Sequence, residues 1–215
     1  RNERGSYALL FKKAFIPVVS IGVALAMFQQ LCGINVVFNY TSNIFESIGA
    51  SKDDQLLQTV FIGSVNLVFT VFAILLVDRL GRRPLMLIGA GGLGILYIII
   101  AYFLAIKSAM VSLFLLMAIG LFAATLAPVT WVLISEIFPS RIRVAASSFA
   151  ILCLWFAFFI TIFTFPMLQK AIGTNNTFYI YSVVCFLGFA FVWFRVKETN
   201  GKSLEEMDAL FPAHG

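Results

Sequence analysis

The sequence predicts an all-α membrane protein with six transmembrane helices. Three observations indicate this fold class: 61% of the 215 residues are hydrophobic, only 12% are charged, and the mean hydropathy is +0.98. Soluble domains contain roughly half apolar residues and about a quarter charged residues. A chain of this size cannot bury so much apolar surface in a single core that faces water. We therefore expect lipid to surround most of it.

Six apolar stretches are long enough to cross a bilayer, which requires about 20 apolar residues each. The first is too long for one straight span and contains the polar sequence QQLCGIN, so we expect a bend near Gly33. Pro128 predicts a second break, in the fourth stretch. The predicted spans are approximately residues 14–48, 56–77, 84–106, 109–135, 144–168 and 177–196.

The distribution of Lys and Arg predicts that both termini lie in the cytoplasm. Twelve of the fifteen basic residues precede the first span, follow the sixth, or lie between spans two and three or four and five. The other three are Lys52, Lys107 and Lys170, on the opposite side. Because cytoplasmic loops are enriched in Lys and Arg, we expect a multi-pass protein of the plasma or bacterial inner membrane. Basic residues at the membrane rim do not form a nucleic-acid surface.

Residues 1–13 are accordingly expected to form a cytoplasmic lead-in, and residues 14–196 the six-helix transmembrane unit. Residues 197–215 are expected to form a cytoplasmic tail with a short amphipathic helix near 203–211. Spans one and four are the first helices of two possible three-helix repeats, 14–106 and 109–196. Interrupted helices at corresponding positions of two repeats are typical of the binding site of a transporter.

The spans contain neutral hydrogen-bonding side chains rather than charges. Glu46 is the only ionisable side chain in the first two stretches, and spans three to six carry none at mid-depth. Charges at that depth usually mark ion pathways, so an uncharged solute is expected. Hydrogen bonds between helices remain an alternative role for each polar residue. The polar and tryptophan candidates are Gln29, Gln30, Asn35, Asn39, Asn66, Thr125, Thr130, Trp131 and Trp155.

The segment around Gly33 is the strongest candidate for a binding site. In an unbroken helix Gln30 and Asn35 would point about 140° apart, at about 100° per residue. A bend at Gly33 would turn both amides toward one cavity. Amides donate and accept hydrogen bonds, and a Trp face can stack on a ring, so a solute with several hydroxyl groups is favoured.

Other chemistry is not expected. Residues 89–94 match G-x-G-x-x-G, but they lie within an apolar run rather than after a strand, so we interpret them as close helix packing. Cys32, Cys153 and Cys185 lack metal-ligand spacing and are expected to be packing residues. The single histidine, His214, gives no basis for a metal site or a His-based triad. We therefore expect neither an enzyme nor a cofactor.

Four motifs resemble the sugar porter family of the major facilitator superfamily: QQLCGIN at 29–35, DRLGRR at 78–83, APVTWVLISEIFPSRIR at 127–143 and KETNGKSLEEM at 197–207. The resemblance covers nearly the whole chain and corresponds to helices seven to twelve of a twelve-helix transporter. It implies transport of a neutral sugar (hexose, pentose or polyol) by alternating access, together with an N-terminal six-helix half. Any proton coupling would then use the absent half.

The resemblance also implies roles for individual residues. Gln29, Gln30, Asn35 and Asn66 would contact the sugar, and Trp131 and Trp155 would line the cavity. Asn39 stands where relatives usually have the first of two tyrosines, which leaves Tyr40 alone and the identity of the sugar open. A cytoplasmic charge network would lock the outward-open state. Its members are Asp78, Arg82, Arg83, Glu136, Arg141, Arg143 and Glu198.

Three alternatives remain open. A non-transporting sugar receptor or sensor could use the same fold. The isolated half could be inactive, because the substrate site of such carriers lies between halves. The cytoplasmic charges could also serve only to set the topology.

Overall fold

The computed structural model describes residues 7–47, 49 and 51–198, without the side chains of Ser47, Gln55 and Asp78. The predicted tail helix near 203–211 lies outside the described residues. Within them the chain is helical throughout, with no strand. After a 3₁₀ turn at Tyr7–Phe11, the helices are α1 (Ile16–Leu31), α2 (Ile34–Ser47), α3 (Lys52–Leu80), α4 (Arg82–Ala105), α5 (Val111–Ala124), α6 (Leu126–Glu136), α7 (Arg143–Ile172) and α8 (Thr174–Arg195).

The described residues contain six spans that are long and apolar enough to cross a membrane, as predicted. Helices α1 and α2 together form the first span, and α5 and α6 form the fourth. Helices α3, α4, α7 and α8 form the other four.

The first span bends at Gly33, as the sequence predicted. Gly33 has φ +83°, a left-handed conformation that glycine adopts without steric cost. A Cβ atom here would lie 2.5 Å from Cγ of Tyr181 on α8, so the ring also requires a glycine. Helix α1 therefore ends and α2 begins in a new direction at this residue.

The fourth span breaks at Thr125, three residues before the predicted position. Thr125 has φ −125° and ψ −85°, and α6 begins at Leu126. Pro128 lies in the first turn of α6, where its missing N–H is not needed. Its ring is incompatible with a helical carbonyl four residues earlier, at Ala124, and that is where α5 ends. Proline thus starts the new helix and interrupts the one before it.

The helix packing has the pattern expected of two three-helix repeats. Helix α1 of the first repeat packs along α7 of the second, and α5 of the second repeat packs in the same way along α3 of the first. The last helices of the two repeats, α4 and α8, pack along each other. The junctions repeat as well. Gly81 between α3 and α4 has φ 87° and ψ 162°, and Gly173 between α7 and α8 has φ 87° and ψ 158°.

Residues 89–94 mediate close helix packing, as interpreted from the sequence. A Cβ at Gly89 would overlap Thr125 at the break of the fourth span, and a Cβ at Gly94 would lie 2.9 Å from the ring of Phe186 on α8. The Ser182 hydroxyl donates to the Gly94 carbonyl at 2.7 Å. Small residues in α4 therefore let two neighbouring helices approach its backbone.

Helices α3 and α7 bury little of their apolar surface. In their most apolar stretches only 17% and 22% of residues are buried, against 61% in each broken span. The two broken spans are therefore interior, and α3 and α7 present apolar faces that the described residues do not cover.

Candidate functional site

The bend at Gly33 brings Gln30 and Asn35 into direct contact. The Asn35 side-chain amide donates a hydrogen bond to Oε1 of Gln30 across the break. The Asn39 amide donates to the Asn35 carbonyl at 2.8 Å and extends the cluster along α2. Gln30 is buried, Asn35 is half-buried and Asn39 is exposed. The cluster therefore runs from the interior of the protein to its surface.

Gln29 joins the two broken spans. Its side-chain Nε2 donates to the carbonyls of Ala127, at 3.2 Å, and Leu126, at 3.5 Å. Both carbonyls belong to the first turn of α6, directly after the break at Thr125. Within the described part of the chain its Oε1 is buried and has no hydrogen-bond partner. A buried acceptor without a donor costs about 1–3 kcal/mol, so this oxygen is suited to a ligand hydroxyl or a water.

Helix α7 supports this cluster from the side. The Thr161 hydroxyl donates to the Gln30 carbonyl at 3.4 Å, and the Tyr40 hydroxyl donates to the Ile162 carbonyl at 3.1 Å. Tyr40 interrupts α2 with φ −120° and ψ 22°, and its ring lies 4.8 Å from that of Phe165. An apolar groove of about 460 Å³ follows the contact. Its lining residues are Tyr40, Phe158, Phe159, Ile162, Phe163, Pro166 and Met167.

The two predicted tryptophans lie on accessible surfaces of α6 and α7. Trp131 is 45% exposed and lies on the same face of α6 as Ala127, one turn earlier. Trp155 is 55% exposed, and its ring meets that of Phe158 edge-on at 5.7 Å. Asn66 is half-buried on α3, and among the described residues no hydrogen bond joins its side chain to the other amides.

Two of the polar candidates, Thr125 and Thr130, form hydrogen bonds within their own span. Thr125 and Thr130 are buried, with exposed fractions of 2% and 0%. Their hydroxyls donate to the carbonyls of Leu121, at 2.6 Å, and Leu126, at 2.9 Å, four residues earlier in each case. Threonine hydroxyls in helices commonly donate to the carbonyl four residues earlier, so both groups satisfy the local backbone.

The predicted charge network is centred on Arg82. Its Nη2 lies 3.2 Å from Oε1 of Glu136, and its Nη1 donates to the Val77 carbonyl at 3.3 Å. The side chain is 12% exposed, so this pair is better shielded from water than an ordinary surface ion pair. The network thereby links the junction of α3 and α4 to the end of α6.

Glu198 contacts backbone N–H groups, which the sequence did not predict. Its two carboxylate oxygens accept hydrogen bonds from the backbone N–H groups of Arg82 and Arg83, each at 3.0 Å. These N–H groups belong to the first turn of α4, whose N-terminus carries a partial positive charge. An acidic residue more than 110 positions away in sequence therefore caps this helix.

The remaining network residues lie around these two contacts. Arg83 donates to the Trp193 carbonyl at 2.8 Å and stacks over its ring at 5.6 Å. Arg143 donates to the Phe138 carbonyl at 3.0 Å. Arg141 is exposed. The side chain of Asp78 lies outside the described part of the structure.

Broken helices at corresponding positions of two repeats, with polar side chains at the breaks, are typical of secondary transporter folds. The family model "Sugar (and other) transporter" matches residues 1–211, and the chain belongs to that family.

Curated relatives and solved structures agree with this assignment. The D-xylose-proton symporter of Escherichia coli K12 is 41% identical over 98% of this chain, and the arabinose-proton symporter of Bacillus subtilis is 35% identical over 98%. The match covers 44% and 46% of those proteins, so the chain spans about half the length of the curated relatives it matches.

A crystal structure of a double-Trp mutant of XylE has a TM-score of 0.87 at 39% identity. It covers 96% of this chain and 45% of the XylE chain. The inward-open conformation of XylE from E. coli has a TM-score of 0.83 at 38% identity, with 94% and 44% covered.

Proposed function

We propose that this chain is the C-terminal half of a transporter that moves a neutral sugar across the cell membrane by alternating access. The observation that carries the proposal is the amide cluster at the two broken spans, where Gln29 joins the spans and Gln30 meets Asn35. The curated relatives include symporters of D-xylose and of arabinose, which favours a pentose or a hexose.

The sugar would bind on the surface that holds these amides. The unpartnered Oε1 of Gln29 would accept a sugar hydroxyl, and Gln30, Asn35 and Asn66 would exchange further hydrogen bonds. Trp131 and Trp155 would stack against the C–H face of the ring. Asn39 and Tyr40 would extend the surface along α2.

The exposed apolar faces of α3 and α7 support a partner half. We infer that an N-terminal six-helix half covers them and completes the site, with lipid around the outside. Both termini would lie in the cytoplasm, with Arg82, Glu136 and Glu198 at the cytoplasmic end holding the outward-open state. Glu46 and Glu136 each lie at the end of a described span rather than at mid-membrane depth. Proton coupling would therefore use a carboxylate in the partner half.

The test is uptake of labelled D-xylose, other pentoses and hexoses into proteoliposomes that contain the complete transporter, meaning this chain joined to its N-terminal half. We expect uptake of at least one sugar, loss of affinity in Gln30→Ala, and no uptake by the six-span half alone. Saturable sugar binding without flux would instead identify a receptor. Unchanged affinity in Gln30→Ala for every transported sugar would remove the amides from the site.

A further inference from the structure

A polar cavity lies at the opposite end of the spans from the Arg82–Glu136 pair. It has a volume of about 390 Å³ and lies between the end of α2, the start of α3 and the turn that joins α4 to α5. Small-molecule sites usually measure about 300–1,000 Å³. The cavity shares no residue with the amide cluster described above. Its lining residues are Phe45, Gly49, Asp54, Gln58, Lys107, Ala109 and Ser112.

One acceptor in the cavity lacks a donor. Oε1 of Gln58 is shielded from solvent and forms no hydrogen bond with the described part of the chain. Amide oxygens in such positions are normally satisfied, because a buried acceptor left unpaired is unfavourable. Because Gln58 also lines the cavity, a rotation of its side chain would turn this oxygen toward a hydroxyl group bound there.

Lys107 is held in an unusual backbone conformation at the wall of this cavity. It has φ +52° and is the only described residue other than glycine with a positive φ. At the end of α4, Ser108 N–H donates to the Phe103 carbonyl and Lys107 N–H to the Leu104 carbonyl, at 3.0 and 3.2 Å. In this arrangement glycine is the usual residue at the position of Lys107. Here a lysine occupies it, and this lysine is one of the residues that line the cavity.

The lining groups select the chemistry of the ligand. Asp54 can only accept hydrogen bonds, and already accepts one from the Ser51 hydroxyl at 2.6 Å, whereas Lys107 can only donate. No ion pair joins Asp54 to Lys107 in the described residues. Asp54 and Lys107 carry opposite charges, so together they favour neither an anion nor a cation. A neutral molecule with several hydroxyl groups can donate to Asp54 and Gln58 and accept from Lys107.

We propose that this cavity binds a sugar at a second site, separate from the amides at the broken spans. The class of ligand and the outward position of the cavity rest on the proposed function. A sugar held here contacts the last turn of α2, at the end of the spans opposite the Arg82–Glu136 pair.

The test measures protection of a cysteine placed in the cavity of the complete transporter. The reporter is Ala109→Cys in a background without the three native cysteines, and the label is a water-soluble methanethiosulfonate added from outside. D-xylose is the first probe, followed by the sugars found in the uptake assay. At a concentration about ten times the dissociation constant, the sugar is expected to slow labelling about tenfold.

Two variants test the assigned groups. Gln58→Leu and Lys107→Gly are each expected to raise the half-protecting sugar concentration about tenfold, because a hydrogen bond to the sugar is lost. Lys107→Gly relieves the left-handed conformation, so its effect cannot arise from unfolding. Lys170→Ala, at an exposed lysine on the same side of the membrane, is the control and should leave protection unchanged.

The result is separable from the proposed function. Protection that persists in Gln30→Ala, where uptake is lost, supports a distinct second site. Protection without uptake in the unmodified transporter would contradict the proposed transport and leave this site standing. Uptake without protection by any transported sugar overturns the second site alone. Equal protection by the zwitterion betaine, or unchanged protection in both Gln58→Leu and Lys107→Gly, also overturns it.

Discussion

Replacement of Gly33 by alanine should strongly destabilise the bent first span. Two effects combine at this residue. Its φ of +83° costs an L-residue about 1–2 kcal/mol. The new Cβ would also lie 2.5 Å from Cγ and 2.7 Å from two neighbouring ring atoms of Tyr181, and overpacking of this kind costs about 1–3 kcal/mol. Gly33→Ala is therefore expected to lose about 2–5 kcal/mol in total.

Gly49→Ala separates the two contributions. Gly49 has φ +86°, but no atom of the described residues lies within 4 Å of a Cβ at that position. It should therefore lose only the conformational component, about 1–2 kcal/mol. The assay measures the free energy of unfolding of the purified complete transporter in detergent, by thermal and by chemical denaturation.

A double-mutant cycle then identifies the ring as the cause. Tyr181→Ala removes the ring atoms that the new methyl group would overlap, so Gly33→Ala should cost about 1–3 kcal/mol less in that background. Gln30 and Asn35 lie on either side of the bend, and sugar affinity should fall together with stability. Equal destabilisation by Gly33→Ala and Gly49→Ala, with no coupling to Tyr181, would refute this reasoning.

Three further predictions concern the rest of the unit. Glu198→Gln should lower the stability of the transporter by about 1 kcal/mol, because the first turn of α4 loses a charged acceptor, and thermal unfolding measures this. Gly188→Ala should reduce the yield of monodisperse protein in size-exclusion chromatography, because its Cβ would overlap the ring of Phe28. Arg82→Lys should weaken the link to Glu136 by about 1–3 kcal/mol and shift the outward–inward equilibrium, measured by labelling of cysteines at the cytoplasmic end.

Matched controls exist for each of these changes. Lys197→Gln removes an exposed charge beside Glu198 and should leave thermal unfolding unchanged. Gly63→Ala adds a Cβ with nothing of this chain within 4 Å, so the yield should not fall. Arg79→Lys alters an exposed arginine at the end of α3 and should not shift the conformational equilibrium. A control that reproduces the effect of its partner would contradict the corresponding assignment.

The six spans and the bend at Gly33 follow from local sequence. Span length and hydropathy are properties of consecutive residues, and QQLCGIN places a glycine within a polar interruption. The contact between Gln30 and Asn35 follows from the same bend, since both residues belong to one short segment. These features could therefore be predicted without knowledge of the neighbouring helices.

The features that the sequence did not indicate depend on distant parts of the chain. Gln29 binds carbonyls in the first turn of α6, about 97 positions later in the sequence. Glu198 caps α4 because the end of α8 lies beside the α3–α4 junction. The sequence predicts correctly that Pro128 breaks the fourth span. The break itself lies earlier, because the proline ring clashes with the preceding turn. Sequence spacing reveals none of these spatial relations.

The structure of the complete transporter with a bound sugar tests the central claim most directly. The account predicts that a sugar hydroxyl lies within about 3 Å of Oε1 of Gln29, with Gln30 and Asn35 in hydrogen-bond contact and Trp131 against the ring. A sugar bound between the two halves without contact to these three amides, and with Oε1 of Gln29 bonded to protein instead, would contradict it.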